Sequence, residues 1–211
     1  RGNFMKAIRL GVQILFLLVF LFSIITGKTV LWLGIFLVSL LGAAVFGRFY
    51  CGYVCPMNTA MRGTNFISKK WNIKKKKTPA WMLHKSIPIL VIGLMILTMV
   101  LSKKILHKNI PVLLILMFIA MFFTLFYEEW IFHNQICPYG FFLKIFGKKA
   151  VFSTRVSPEL CIGCKKCEMV CPAHSIIVNM ETHKAEIDQK LCHQCQACTA
   201  VCLQNAIRYH K

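Results

Sequence analysis

Eight of the eleven cysteines fall between residues 161 and 202, in two copies of one spacing. CIGCKKCEMVCP places Cys161, Cys164, Cys167 and Cys171; CHQCQACTAVC places Cys192, Cys195, Cys198 and Cys202. Each copy reads C-x2-C-x2-C-x3-C. Three thiols on so tight a loop can cap three irons of one cube, while the fourth, a helical turn on, points away and serves a second cube. Zinc knuckles use two cysteines each and leave no use for eight in this pattern. Between the copies, SIIVNMETHKAEID alternates around a Glu-Thr-His turn and predicts a short hairpin.

This is the spacing of a bacterial-type ferredoxin with two [4Fe-4S] clusters. The first cluster is expected on Cys161, Cys164, Cys167 and Cys202, the second on Cys192, Cys195, Cys198 and Cys171. His174, His183, His193 and His210 read as surface histidines. His193, inside the second loop, is also placed to tune a potential by hydrogen bonding.

The rest of the chain is of another kind. Of the 211 residues, 57% are hydrophobic, and the mean hydropathy of +0.61 is rare in a soluble domain. Four apolar runs of about 20 residues read as membrane spans: residues 7–26, 29–50, 81–101 and 110–132. The first is followed by a second and shows no small-residue cleavage site, so a retained helix is expected. The expected fold is an all-α bundle of four transmembrane helices over residues 1–150, followed by an α+β ferredoxin domain over 151–211.

Lys and Arg outnumber Asp and Glu by 26 to 7. The excess clusters at or after the end of the second run (Arg48, Arg62, Lys69, Lys70 and Lys74 to Lys77), around the start of the first (Arg1, Lys6, Arg9) and after the fourth (Lys144, Lys148, Lys149, Arg155). The other side holds Lys28, Lys103, Lys104 and Lys108. The positive-inside rule then puts both termini and the middle loop in the cytoplasm, in a multi-pass protein of the cell membrane. The run KKWNIKKKK reads as a topology signal against anionic headgroups of the bilayer, and no nucleic acid is expected as a partner. All the cysteines then face a reducing compartment, where metal or cluster ligation outranks disulfides.

The membrane part repeats itself. Cys51 and Cys55, followed by Pro56, form C-x3-C-P at the end of the second run. His133 and Cys137, followed by Pro138, form H-x3-C-P at the end of the fourth. Cys137 lies 82 residues after Cys55, and His133 lies 82 after Cys51. Two hairpins of this kind would be related by an axis along the membrane normal. Cys51, Cys55, Cys137 and His133 could converge on a third iron–sulfur cluster at the membrane surface or on a single zinc or copper ion. Alternatively, the Cys-Pro turns are helix stops with incidental thiols.

GRFYCGYVCPMN, ICPYGFF and the double cysteine motif together resemble the NapH-type family of polyferredoxin-like membrane proteins. Those are quinol dehydrogenase components of periplasmic nitrate reductase systems. Relatives act in nitrous oxide reductase maturation and cytochrome oxidase assembly. The family's cysteine motifs map onto Cys51, Cys55, Cys137 and the eight ferredoxin cysteines; His133 stands where the family has cysteine.

A bis-histidine haem is not expected, because the first two runs hold no histidine; His84 and His107 lie near opposite ends of the third. No charge sits at mid-depth as a transporter would require. Glu128 and Glu129 near the inner interface read as interface residues or as proton acceptors beside a quinone, and Trp81 and Trp130 as interface aromatics.

The reading is an electron-transfer subunit of an oxidoreductase complex. It would pass electrons between cytoplasmic-side [4Fe-4S] clusters and a membrane carrier, with quinone suggested by the resemblance, or a partner subunit. The alternatives are a copper-reducing or assembly factor and a docking anchor for a soluble redox partner. Other subunits of a membrane complex, and a soluble ferredoxin or flavodoxin drawn to the basic face, are the expected partners.

Overall fold

The computed structural model describes residues 2–84, 86–105 and 112–211. Arg1, Lys85, His107, Lys108 and Ile110 of the reading above lie outside the described residues. The described chain is mostly helical, with four short strands.

Four apolar helices form where apolar runs were expected: α1 (Gly2–Ile25), α2 (Thr29–Phe46), α4 (Ile87–Ile105) and α5 (Val112–Phe126). Among the described residues, only Phe4–Ile25 is long and apolar enough to cross a bilayer; Val30–Phe46, Ile87–Ser102 and Val112–Phe126 are shorter. Among the described residues, the other three apolar helices are thus shorter than the runs the sequence shows.

The shortening has local causes. α2 stops at Gly47, whose φ of +69° and ψ of −160° suit only glycine. A Cβ there would also stand 2.8 Å from the Gln194 amide nitrogen. The third run begins as a single 3-10 turn over Ala80–Leu83 behind an extended Pro79, and α4 starts only at Ile87. α5 ends at Phe126, whose carbonyl accepts the backbone N–H of Lys76 at 2.7 Å. Part of the lysine run is thus paired with a helix end.

In space the chain divides into two compact units, Arg1–Cys55 with Phe142–Lys211, and Pro56–Phe141. The cysteine-rich segment shares its unit with the first helical hairpin. Phe20 against Trp32, with ring centroids 5.0 Å apart, and Phe36 against Tyr50 at 5.4 Å help to pack that hairpin.

The cysteine-rich segment is an antiparallel α+β arrangement. β1 (Ser153–Val156) pairs with β4 (Ile207–His210), and β2 (Ile176–Val178) with β3 (Ala185–Ile187). The second pair is the hairpin the alternation predicted. Its turn is closed by Asn179, whose Oδ1 accepts the backbone N–H groups of Glu181 and Thr182. Cys167, Ile176, Val178, Ala185, Cys198 and Ile207 form the core.

The sequence repeat is also a backbone repeat. Left-handed residues recur 31 positions apart: Gly163 with Gln194, Lys165 with Gln196, and His174 with Asn205. Side chains other than glycine take that conformation at a cost, which points to a geometry imposed by the loops.

In the second unit, α3 (Pro56–Lys70) packs along α5, and Ser68 Oγ donates to the Leu125 carbonyl. Lys75 pairs with Glu128 at 3.4 Å.

Candidate metal centres

In each loop the first three cysteines lead into a short helix, Lys166–Met169 or Ala197–Val201. Each helix is entered through a left-handed residue, Lys165 or Gln196. The fourth cysteine of each loop lines the other loop's cavity. Cys161, Cys164, Cys167 and Cys202 line a small cavity walled by Val178, Ala185 and Ile207. Cys171, Cys192, Cys195 and Cys198 line a second, smaller one beside Ile176 and Ala197.

Backbone amides already face the sulfurs. Ala185 N–H donates to Cys161 Sγ and Ser175 N–H to Cys171 Sγ, each at 3.4 Å. Such bonds favour a thiolate or a thiolate-bound cluster. Burial acts the other way on the free thiols. It pushes the Cys192 thiol up to about 12, helped by the neighbouring Cys195 and Cys171. Burial, then Cys195, Cys192 and Cys171, also raise Cys198. Burial likewise raises Cys167.

The donor sets fit the cofactor: four thiols, an apolar wall and amide donors for each cavity. Two sets of four cysteines are what two cubes take as ligands. A bound [4Fe-4S] cluster supplies one-electron transfer.

The Cys-Pro turns repeat in three dimensions. Tyr50–Val54 and Phe132–Ile136 are each one turn of π-helix. Cys55 has φ −67° and ψ 116°; Cys137 has φ −67° and ψ 118°. The Cys55 N–H reaches the Tyr50 carbonyl, and the Cys137 N–H the Phe132 carbonyl, both at 2.8 Å. The cause is the proline. It forces the residue before it out of the helical region, and it starts the next helix, where its missing N–H costs nothing. α3 accordingly begins at Pro56, and a further helix begins at Pro138 and runs to Phe146. Isolated π turns of this kind concentrate at functional sites.

Cys51 and Cys55 are buried in the first unit, His133 and Cys137 in the second. Arg48 Nη2 stands 3.7 Å from Cys51 Sγ. His133, 1% exposed, shares a 3.2 Å hydrogen bond between its Nε2 and Asn58 Oδ1. Glu129 is buried, and Glu128 is half exposed in its ion pair with Lys75.

Two sequence readings are corrected. His193 is 1% exposed, not a surface histidine, because its loop is covered by the Cys51–Cys55 turn. His174, His183 and His210 are exposed as expected. Arg9 and Arg48, read as topology charges, are buried at 6% and 0% exposure. Arg9 Nη1 donates to the Cys195 carbonyl at 2.9 Å. Gln13, one turn on, donates Nε2 to the Gly52 carbonyl at 2.8 Å. Arg9 and Gln13 stand four apart in an apolar helix, a polar stripe that the sequence displayed and that the topology argument absorbed.

Comparison with known proteins agrees with the cysteine chemistry. The 4Fe-4S binding domain family matches twice, over residues 29–74 and 109–157, so each match holds one Cys-Pro turn. The 4Fe-4S dicluster domain family matches residues 160–206. The uncharacterized proteins MJ0749 and MJ0750 of Methanocaldococcus jannaschii are each 26% identical, over 64% and 78% of this chain and 56% and 73% of their own. The methylamine utilization ferredoxin-type protein MauN of Methylobacillus flagellatus is 27% identical over 66% of this chain and 53% of its own. The chain thus spans little more than half the length of MJ0749 and of MauN. No solved structure matches significantly. The chain carries 4Fe-4S ferredoxin-type domains.

Proposed function

We propose that the chain is the membrane-bound electron-transfer subunit of a NapH-type redox complex. It exchanges electrons between two [4Fe-4S] clusters and a membrane carrier, a quinone, or a partner subunit. Cys161, Cys164, Cys167 and Cys202 hold one cluster; Cys171, Cys192, Cys195 and Cys198 hold the other. Cys51, Cys55, His133 and Cys137 hold a third centre at the membrane surface. The protein sits in the cell membrane with both termini cytoplasmic. A soluble ferredoxin or flavodoxin meets its basic face, which carries most of a formal charge of +19.

One observation carries this reading. Arg9 lies in the helix apolar enough to cross a bilayer, and it binds the carbonyl of Cys195 in the second ligand loop. A cysteine loop tied to such a helix has reason to exchange electrons with something in the membrane. The doubled match of a 4Fe-4S binding domain over the Cys-Pro turns supports a centre there as well.

The test is iron and acid-labile sulfide per anaerobically purified chain, on wild type, His133→Ala and Cys137→Ala. About twelve irons, falling by about four in both variants, supports three clusters. About eight irons, unchanged in the variants, confines clusters to the ferredoxin domain and moves the copper-handling or anchoring roles ahead. Reduction of the clusters by a quinol in membranes then tests the carrier.

A further inference from the structure

The second ligand loop is gripped from the first hairpin within one compact unit. Arg48, fully buried, donates Nη1 to the carbonyls of Lys190 and Leu191 at 3.1 and 3.5 Å. Those carbonyls immediately precede Cys192. The same guanidinium sends Nη2 to Cys51 Sγ. Gly147 leaves space for it: a Cβ there would meet Arg48 Cγ at 3.3 Å. Arg9 holds the Cys195 carbonyl, and Gln13 holds the Gly52 carbonyl. Gly52 completes the contact. A Cβ on it would overlap the His193 carbonyl oxygen and lie 3.4 Å from Cys195 Cα.

A guanidinium removed from water is favoured by nearby negative charge. A cube bound by four thiolates carries net negative charge, and the charge grows on reduction. Lys144 adds to the local field; burial and then the Arg48 charge hold its amine below the usual lysine range. No first-hairpin residue lines either cavity; Arg48 reaches the second through the carbonyls just before Cys192.

We infer that Arg48 is a positioning residue for the second cluster and not for the first. It fixes the Lys190–Cys195 loop against the Cys51 turn and places a positive charge there that raises that cluster's reduction potential. This rests on the proposal that Cys171, Cys192, Cys195 and Cys198 hold a cluster. Positive charge stabilises the reduced cube over the oxidised one, and cluster charge and hydrogen bonding are the protein's ordinary levers on potential.

The experiment is a reductive titration of the full chain in detergent, followed by electron paramagnetic resonance. It compares wild type, Arg48→Met, Arg48→Lys and Gly52→Ala; a Cys171→Ser chain identifies which signal belongs to the second cluster. Arg48→Met is expected to make that signal about tenfold harder to reduce, ~59 mV for one electron, with the first cluster's signal unmoved. Arg48→Lys, which keeps the charge and loses the fork, recovers part of the shift. Unmoved signals in Arg48→Met, or equal shifts in both, overturn the inference. Should Arg48→Met not accumulate, Arg48→Lys and Gly52→Ala decide: each must disturb the second signal and spare the first. If wild type shows no [4Fe-4S] signal, the proposed function itself fails. Wild-type signals with no Arg48 effect leave that function standing and remove only this inference.

Discussion

His133 and Asn58 are joined by a 3.2 Å hydrogen bond between imidazole Nε2 and the side-chain carbonyl oxygen, both residues buried. Asn58 lies three residues after Cys55 in the first copy of the repeat, and His133 four before Cys137 in the second. Both residues lie in the second compact unit. With Nε2–H donated to an amide oxygen, the neutral imidazole carries its lone pair on Nδ1, the form in which histidine serves as a metal ligand.

Asn58→Leu removes the acceptor while keeping the volume close. A buried N–H left without it costs about 1–3 kcal/mol. The expected outcome is a lower midpoint of thermal unfolding. If the third centre exists, iron also falls as far as in His133→Ala, with the ferredoxin signals intact. Iron analysis beside a melt checks both. Full iron with an unchanged melt would show that the bond orients nothing of consequence.

The ligand sets cross between the loops, and serine substitutions read this out. Cys202→Ser is expected to remove the same resonance signal as Cys161→Ser. Cys171→Ser is expected to match Cys192→Ser. Each costs up to about four irons. If Cys202→Ser instead pairs with Cys192→Ser, each loop holds its own cluster and the cavity linings have misled us.

Gly163 stands at φ +68°, and a Cβ there would overlap the His183 carbonyl oxygen. Gly163→Ala therefore strains the backbone in the first loop and pushes on the β2–β3 turn, at a cost of about 1–3 kcal/mol. The first cluster's signal should weaken or vanish while the second persists. Gln194, at the same place in the second loop, already bears a side chain at φ 53°. Gln194→Gly is expected to relieve backbone strain but to lose the bonds its Oε1 accepts from Thr154 N–H and Oγ1.

Cluster binding should strengthen as pH rises. The free Cys192 thiol is pushed up to about 12 from 9.0, chiefly by burial, and ligation needs its thiolate. Every proton displaced favours the loaded form at higher pH. Chelator competition at pH 6.5, 7.5 and 8.5 (about these values) checks the sign; release that slows as pH falls would reverse it. For the fold with free thiols the linkage runs the other way. A thiol raised by folding leaves stability whole below its ordinary value of 9.0, and stability is lost as pH climbs from there toward about 12.

The ferredoxin-type character of the cysteine segment was legible in the sequence by itself. C-x2-C-x2-C-x3-C is a short-range pattern, and short-range geometry decides what such a loop can hold. The β2–β3 hairpin was legible in the same way, by alternation about Asn179 to Lys184. The 82-residue repeat was visible too, because a proline imposes its conformation on its neighbour whatever surrounds it.

The tertiary structure decided what depends on who stands beside whom. Hydropathy counts residues in a run, so it could not see that Gly47 ends α2 early under Gln194, or that Phe126 ends α5 against Lys76. Charge counting placed Arg9 and Arg48 with the exposed lysines. A guanidinium is buried only when far-off parts of the chain bring it acceptors, here the carbonyls of residues 190, 191 and 195. Gly52 likewise looked like a spacer within C-x3-C, and it became a contact point only when the second ligand loop packed onto it.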